Sequence, residues 1–153
     1  MKVCIGGTFN ILHEGHKQLI NKAIETAGKH GKIFIGVTSG EIIKSKINVK
    51  PFEERKKTLE KFLSQKKFQN TVEIKPIRDI YGPTLDEDFD AIIVSPETKS
   101  NAEEINKKRK QKGKKPLKIV IIPFVISEDG TPISSSRIKN REINENGQIL
   151  RRD

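Results

Sequence analysis

The sequence predicts a doubly wound α/β fold: a mainly parallel five-stranded sheet with helices on both faces. Three observations predict it. Short apolar runs alternate along the chain with segments whose apolar residues recur at helical spacing, the pattern of successive βαβ crossovers. Ile33-Phe34-Ile35-Gly36-Val37 is an unbroken apolar run, as a buried strand requires. At 153 residues the chain is long enough for one domain with a real core, and no repeat or linker divides it. The expected division is a core over about 1–140 and a polar tail over 141–153.

The elements follow in order. Val3 to Ile5 is the first strand, and Gly6-Gly7-Thr8-Phe9 leads from it toward a helix. From Gly15 to Gly28 the apolar positions Leu19, Ile20, Ala23, Ile24 and Ala27 fall on one helical face. Gly28 and Gly31 stop that helix, with Lys29 and His30 where a helix C-terminus favours cations. After the second strand, residues 38–50 form a polar, Lys-containing loop. Pro51 opens a helix with Leu59, Phe62 and Leu63 on one side, and Val72 to Ile77 is the third strand. The Gly82-Pro83 pair marks a turn over Asp79 to Thr84. Ala91 to Val94 is the fourth strand, ended by Pro96. Glu97 to Lys112 is a polar helix, acidic early and basic late as the helix dipole prefers, and Gly113 closes it. Ile119 to Val125 is the fifth strand, with Pro123 implying an edge or a bend. Ile133-Ser134-Ser135-Ser136-Arg137 then opens a short last helix before the tail.

Composition narrows the partners. Thirty basic against twenty acidic residues give a formal charge of +10, which favours anionic ligands such as nucleotides and phosphorylated metabolites. The single cysteine excludes an internal disulfide and any Cys-based zinc site, and its place inside the first apolar run makes Cys4 a small buried hydrophobe. No apolar run is long enough to span a membrane. Met1-Lys2 leads straight into a strand, so no signal peptide is expected and the chain is expected to be cytoplasmic.

Chemistry concentrates in two places. In the first, a strand, two glycines, Thr8-Phe9, and then His13-Glu14-Gly15-His16 arrive together at a helix start. A helix N-terminus carries free N–H groups and partial positive charge, so two imidazoles placed there would face a phosphate. Two histidines merely capping or packing a helix would not need the glycines. In the second, Ser134, Ser135 and Ser136 precede Arg137, and hydroxyls with N-terminal amides can hold terminal phosphates. One serine would satisfy an N-cap; three followed by a cation exceed that need. Of the loop lysines Lys44, Lys46 and Lys50, one is expected to clamp a phosphate. The run Lys107-Lys108-Arg109-Lys110 lacks interleaved aromatics and is read as a solvated helix end rather than a nucleic-acid surface.

The strand-GGTF-loop-helix setting is not a P-loop, for it has no G-x-x-x-x-G-K-[ST]. It resembles the H/T-x-G-H signature of the nucleotidyltransferase superfamily. More of the chain is similar to one family, the archaeal-type (and eukaryotic-like) pantetheine-phosphate adenylyltransferases. The matching stretches are GGTF, LHEGHK, IGVTSGEIIKSK, PFEERKKTLEKF, DIYGPTLDEDFDAIIVSPET, INKKR, EDGTPISSSRIK and REINENGQIL. The resemblance implies a Rossmann-like sheet and transfer of AMP from ATP to 4′-phosphopantetheine, giving dephospho-coenzyme A and pyrophosphate. It implies Mg2+ carried by the ATP phosphates, with no metal ligand from the protein. It places Gly6, Gly7, Thr8 and Phe9 beside ATP, and Thr8 also beside the acceptor phosphate. His13 and His16 fall on the ATP phosphates with His16 nearest the α-phosphate, and Ser134, Ser135, Ser136 and Arg137 on the β- and γ-phosphates. Lys44, then Lys46, are the candidates to orient the attacking phosphate, and Tyr81 is expected near the acceptor. The catalytic set is therefore His16, His13 and Lys44. A monomer is the expected state.

Other expectations stay open at this point. A different phosphorylated acceptor (glycerol phosphate, nicotinamide mononucleotide or flavin mononucleotide) would use similar phosphate-holding residues. A basic nucleic-acid-binding module on the same fold would owe its partner to the +10 charge. An aminoacyl-tRNA synthetase core is excluded by the short chain and the missing Lys-Met-Ser-Lys-Ser loop.

Overall fold

In the computed structural model, residues 1–43, 48–123, 144 and 146–148 are described. They form a five-stranded sheet of β1 (Lys2–Gly7), β2 (Lys32–Thr38), β3 (Thr71–Ile77), β4 (Ala91–Val94) and β5 (Lys118–Ile121), in the order β3-β2-β1-β4-β5. Every pairing is parallel, with Gly6 beside Gly36 and Cys4 beside Ile92 setting the register around the central strand. Three helices, α1 (Glu14–Ala27), α2 (Phe52–Ser64) and α3 (Lys99–Gln111), connect the strands.

The pleat sorts the strand residues into two layers. Val3, Ile5, Ile33, Ile35, Val37, Ala91 and Ile93 face α1 and α2, meeting Leu19, Ile20, Ala23, Leu59 and Leu63. Cys4, Phe34, Ile92 and Val94 face the opposite way, onto Ala102 and Ile105 of α3 with Phe89 and Leu117. Helices on both faces are thus what the alternation predicts. Burial pushes the Cys4 thiol up to about 12, so it is an inert core group, as expected.

Right-handed crossovers explain the strand order. The chain steps outward from β1 through α1 to β2 and through α2 to β3 on one face. It then returns past β1 and steps out through α3 on the other face. The direction reverses between β1 and β4, and in open α/β sheets the ligand crevice lies at such a point, beyond the C-terminal strand ends.

Three local expectations are corrected. The fifth strand ends at Ile121 rather than Val125. Ile122 still donates its N–H to the Val94 carbonyl at 2.9 Å, but Pro123 has no N–H with which to continue. The third helix starts at Lys99, with Glu97 outside it, so its first turn carries no acidic residue. Arg109 is not part of a solvated helix end: it is buried. Its Nη1 donates to the carbonyls of Thr84 and Glu87 at 2.6 and 3.0 Å, and its Nε to that of Lys115 at 2.8 Å. These bonds lock the segment before β4 and the turn before β5 onto α3. The serine segment 134–137, the last helix and Lys44 and Lys46 lie outside the described residues.

The return from α1 to β2 is tight. Gly31 is buried, and its N–H reaches the Gly28 carbonyl at 3.1 Å. A Cβ there would overlap the Ala27 carbonyl and stand 2.7 Å from that of Met1, both backbone atoms that cannot swing aside. Gly31→Ala is expected to cost about 1–3 kcal/mol, the usual range for overpacking. Urea unfolding checks it: a midpoint equal to that of the unsubstituted protein would contradict this account.

Candidate active site

The site grows from the end of β1. Gly7 is followed by Thr8 and by Phe9, whose φ of +49° is unusual for a bulky residue. That conformation turns the Phe9 ring down into the core, where it is almost fully buried and 5.0 Å from the His16 ring. Gly7 permits it, since a Cβ at Gly7 would stand 3.1 Å from the Phe9 ring. Gly6 has no such duty; a Cβ there would meet only ordinary contacts. Phe9 therefore supports the site from below, and only its main chain is left to meet a ligand.

The two histidines cap α1 reciprocally. His13 is the N-cap residue, and its Nδ1 accepts the Gly15 N–H at 3.1 Å. His16 reaches back, its Nδ1 accepting the His13 N–H at 3.3 Å. This is a capping box built from imidazoles in place of a hydroxyl and a carboxylate. The rings stack with centroids 3.7 Å apart and an interplanar angle of 19°. The glycine between them is a steric requirement, because a Cβ at Gly15 would lie 2.9 Å from the His13 ring. The spacing H-x-G-H thus has a local cause, two rings folded over one helical turn, so the cap itself calls for Gly15, contrary to the expectation that capping alone would not need the glycines.

The same bonds set the tautomer. A ring nitrogen that accepts a main-chain N–H holds no proton in the neutral ring, so each imidazole carries its proton on Nε2. Desolvation pulls His13 down to about 4, against a smaller opposing pull from Glu14. Desolvation, and then the neighbouring His13, pull His16 down to about 3, opposed by the Ile11 carbonyl. Near neutral pH the pair presents two uncharged N–H donors at a helix N-terminus.

Around them lies a polar frame in which Asn10, Thr38 and Arg55 are residues the sequence reading did not single out. Thr8 accepts a hydrogen bond from the Thr38 hydroxyl at 2.9 Å, joining the ends of β1 and β2. Arg55 of α2 is buried, with Nη1 on the carbonyls of Thr8 and Thr38 at 3.0 and 2.7 Å and Nε on that of Lys50 at 2.8 Å. Burial lowers the pKa of its guanidinium. The buried Asn10 accepts the Lys50 N–H at 2.7 Å and donates to the Asn48 carbonyl at 3.2 Å. A sequence signal for Arg55 existed: it stands four residues before Leu59, which stands four before Leu63, so it shares their inward face.

Of the expected residues, the structure brings Gly6, Gly7, Thr8, Phe9, His13 and His16 together at the end of β1. Tyr81, in the segment that follows β3, is half-buried against the α3-side core, with Lys108 Nζ 5.3 Å over its ring. Lys44, Lys46, Ser134, Ser135, Ser136 and Arg137 fall outside the described residues. Among the described residues no group of three His, Cys, Asp or Glu side chains could hold a metal, and no helix is long and apolar enough to cross a membrane.

A parallel sheet with this reversal and paired histidines at the first helix define a nucleotidyltransferase, and the profile of the cytidylyltransferase-like family matches residues 4–141. The phosphopantetheine adenylyltransferase of Methanosarcina acetivorans is 46% identical over 151 residues, covering 98% of this chain and 96% of that one. That of Archaeoglobus fulgidus is 45% identical over 151 residues, covering 98% and 100%. A solved Archaeoglobus fulgidus structure, described as a protein with unknown function, shares 43% identity and a TM-score of 0.70 over 80% of this chain and 89% of that one. The chain belongs to the archaeal-type phosphopantetheine adenylyltransferases within that family.

The histidine geometry has a pH signature. An unperturbed histidine titrates near 6.5, and both folded values lie below that. Between pH 6.5 and those values the unfolded chain binds more protons than the folded one, so stability falls as pH drops through this window. His13→Asn, whose side-chain oxygen can still cap the helix, is expected to flatten the slope of unfolding free energy between pH 6.5 and 5. Nitrogen-15 NMR should show both imidazoles as Nε2–H tautomers that stay neutral at pH 5.5. A ring that titrates near 6.5 would overturn the assignment.

Proposed function

We infer that this chain transfers AMP from ATP to 4′-phosphopantetheine, releasing pyrophosphate and dephospho-coenzyme A. The observation that carries the chemistry is the pair of neutral Nε2–H donors at the start of α1, beside the end of β1. The relatives supply the acceptor: they are phosphopantetheine adenylyltransferases along nearly the whole chain. Coenzyme A synthesis is a cytoplasmic task, which is where the enzyme is expected to work.

The mechanism needs no general base, because the acceptor phosphate is already ionised near neutral pH. One of its oxygens attacks the α-phosphorus in line, a P–O bond forms, and the bond to the pyrophosphate oxygen breaks. Catalysis is then positioning and stabilisation of charge that builds on the phosphoryl oxygens. An imidazole kept neutral by burial can do this as an N–H donor at every pH where the substrates are ionised. His16 is assigned to the α-phosphate and His13 to the phosphates beyond it. Thr8 lines the floor between nucleotide and acceptor. Ser134, Ser135, Ser136 and Arg137 are assigned to the leaving pyrophosphate, and Lys44, with Lys46 as second candidate, to the acceptor phosphate. Magnesium enters as part of the MgATP substrate.

Pyrophosphate release from MgATP tests the whole scheme. It is expected with 4′-phosphopantetheine, with dephospho-coenzyme A identified by mass, and not with glycerol phosphate, nicotinamide mononucleotide or flavin mononucleotide. Release with one of those instead would replace the acceptor and keep the site. His16→Ala is expected to lower kcat by roughly 10²–10³, the usual cost of removing one preorganised donor. Near-normal turnover in that variant would remove His16 from the chemistry.

A further inference from the structure

Two side chains near the site answer no step of the transfer and are placed at unusual cost. Arg55 is 2% exposed, and among the described residues no carboxylate pairs with it. A buried cation without a counter-ion is expensive, and an apolar residue of like size would usually serve stability as well or better. Asn10 is 7% exposed and spends both ends of its amide on the main chain of Asn48 and Lys50.

Their targets share a logic. Thr38 and Lys50 bracket the segment between β2 and α2, and Thr8 to Asn10 follow β1. The Arg55 guanidinium binds the carbonyls at both ends of the bracketed segment and the Thr8 carbonyl at once. Three diverging carbonyls suit a planar fork and not an ammonium. Lys50 has both main-chain groups held, its N–H by Asn10 and its C=O by Arg55. Asn48, which Asn10 holds, sits at a φ of +58°, a left-handed conformation that asparagine tolerates.

We propose that Asn10 and Arg55 form a clasp that fixes the nucleotide loop after β1 against Thr38, Asn48 and Lys50, the two ends of the connection between β2 and α2, and so sets the line of attack of the acceptor phosphate on ATP. Both are positioning residues, acting through the main chain at Thr8, Thr38 and Lys50. The clasp rests on the transfer proposed above, in which the segment 38–50 supplies the acceptor-phosphate lysine. It acts on the approach of two bound substrates, so it governs kcat and the acceptor more than ATP affinity. An error of about 1 Å in such an approach can cost ~100-fold in rate.

The test compares Arg55→Lys, which keeps the charge and loses the fork, with Asn10→Ala and the double variant. Each is assayed well below its melting temperature, with folding verified by circular dichroism. Both single variants are expected to lose about 10- to 100-fold in kcat/KM for 4′-phosphopantetheine, with a Kd for MgATP, measured without acceptor, that moves less than about threefold. Because both act on Lys50, the double variant is expected to lose little more than the worse single one. A folded variant with unchanged acceptor kinetics overturns the clasp, and so does an equal loss of MgATP affinity, which would signal general damage. If Arg55→Lys does not fold, Asn10→Ala carries the decision by the same criteria. Unsubstituted protein inactive on every phosphorylated acceptor overturns the transfer and the clasp together; active protein with unimpaired variants overturns the clasp alone.

Discussion

The structure hangs on β1. It is the strand that pairs on both sides with elements from the two halves of the chain, β2 and β4, and all its neighbours run parallel. Parallel strands need crossovers, and crossovers are right-handed because right-twisted strands and right-handed helices pack only that way. With β1 in the middle, the two halves must wind away from it on opposite faces. The loop after β1 then lies where the winding reverses, and it leads into the N-terminus of α1. The location of the site follows from handedness before any catalytic residue is considered.

What is placed at that point is economical in local terms. Capping a helix with imidazoles satisfies two main-chain donors and, by the same bonds, fixes the ring tautomers. Stacking the rings at 3.7 Å excludes water from the space between them, and desolvation keeps them neutral. The physical requirement for Gly15 and the strained turn at Phe9 belong to the same arrangement. Each lets a ring fold back over backbone that a side chain or an ordinary φ would obstruct.

The long connections are held differently. Segments without regular structure still carry carbonyls that must find donors when buried. Here two arginines supply them, one on each face of the sheet, and each guanidinium serves three carbonyls. Arg55 ties together the strand ends that flank the site, and Arg109 ties the segment before β4 to α3. Among the described residues both are held by main-chain carbonyls.

The sequence by itself determined the class of fold, the order of its elements and the histidine-bearing corner after β1. Periodicities of two and 3.6, glycines at helix ends and an H-x-G-H at a strand-to-helix junction are local signals, and local sterics decide them. The tertiary structure decided what depends on distant neighbours. It ended β5 at Ile121, because the ladder could not pass Pro123. It moved the start of α3 beyond Glu97. It also turned Arg109 from one cation in a basic run into a buried anchor, and it brought Asn10 and Arg55 to the same residue, Lys50. A side chain's partner forty residues away leaves no period in the sequence, and burial of a charge is settled only when the carbonyls that receive it have been brought around it.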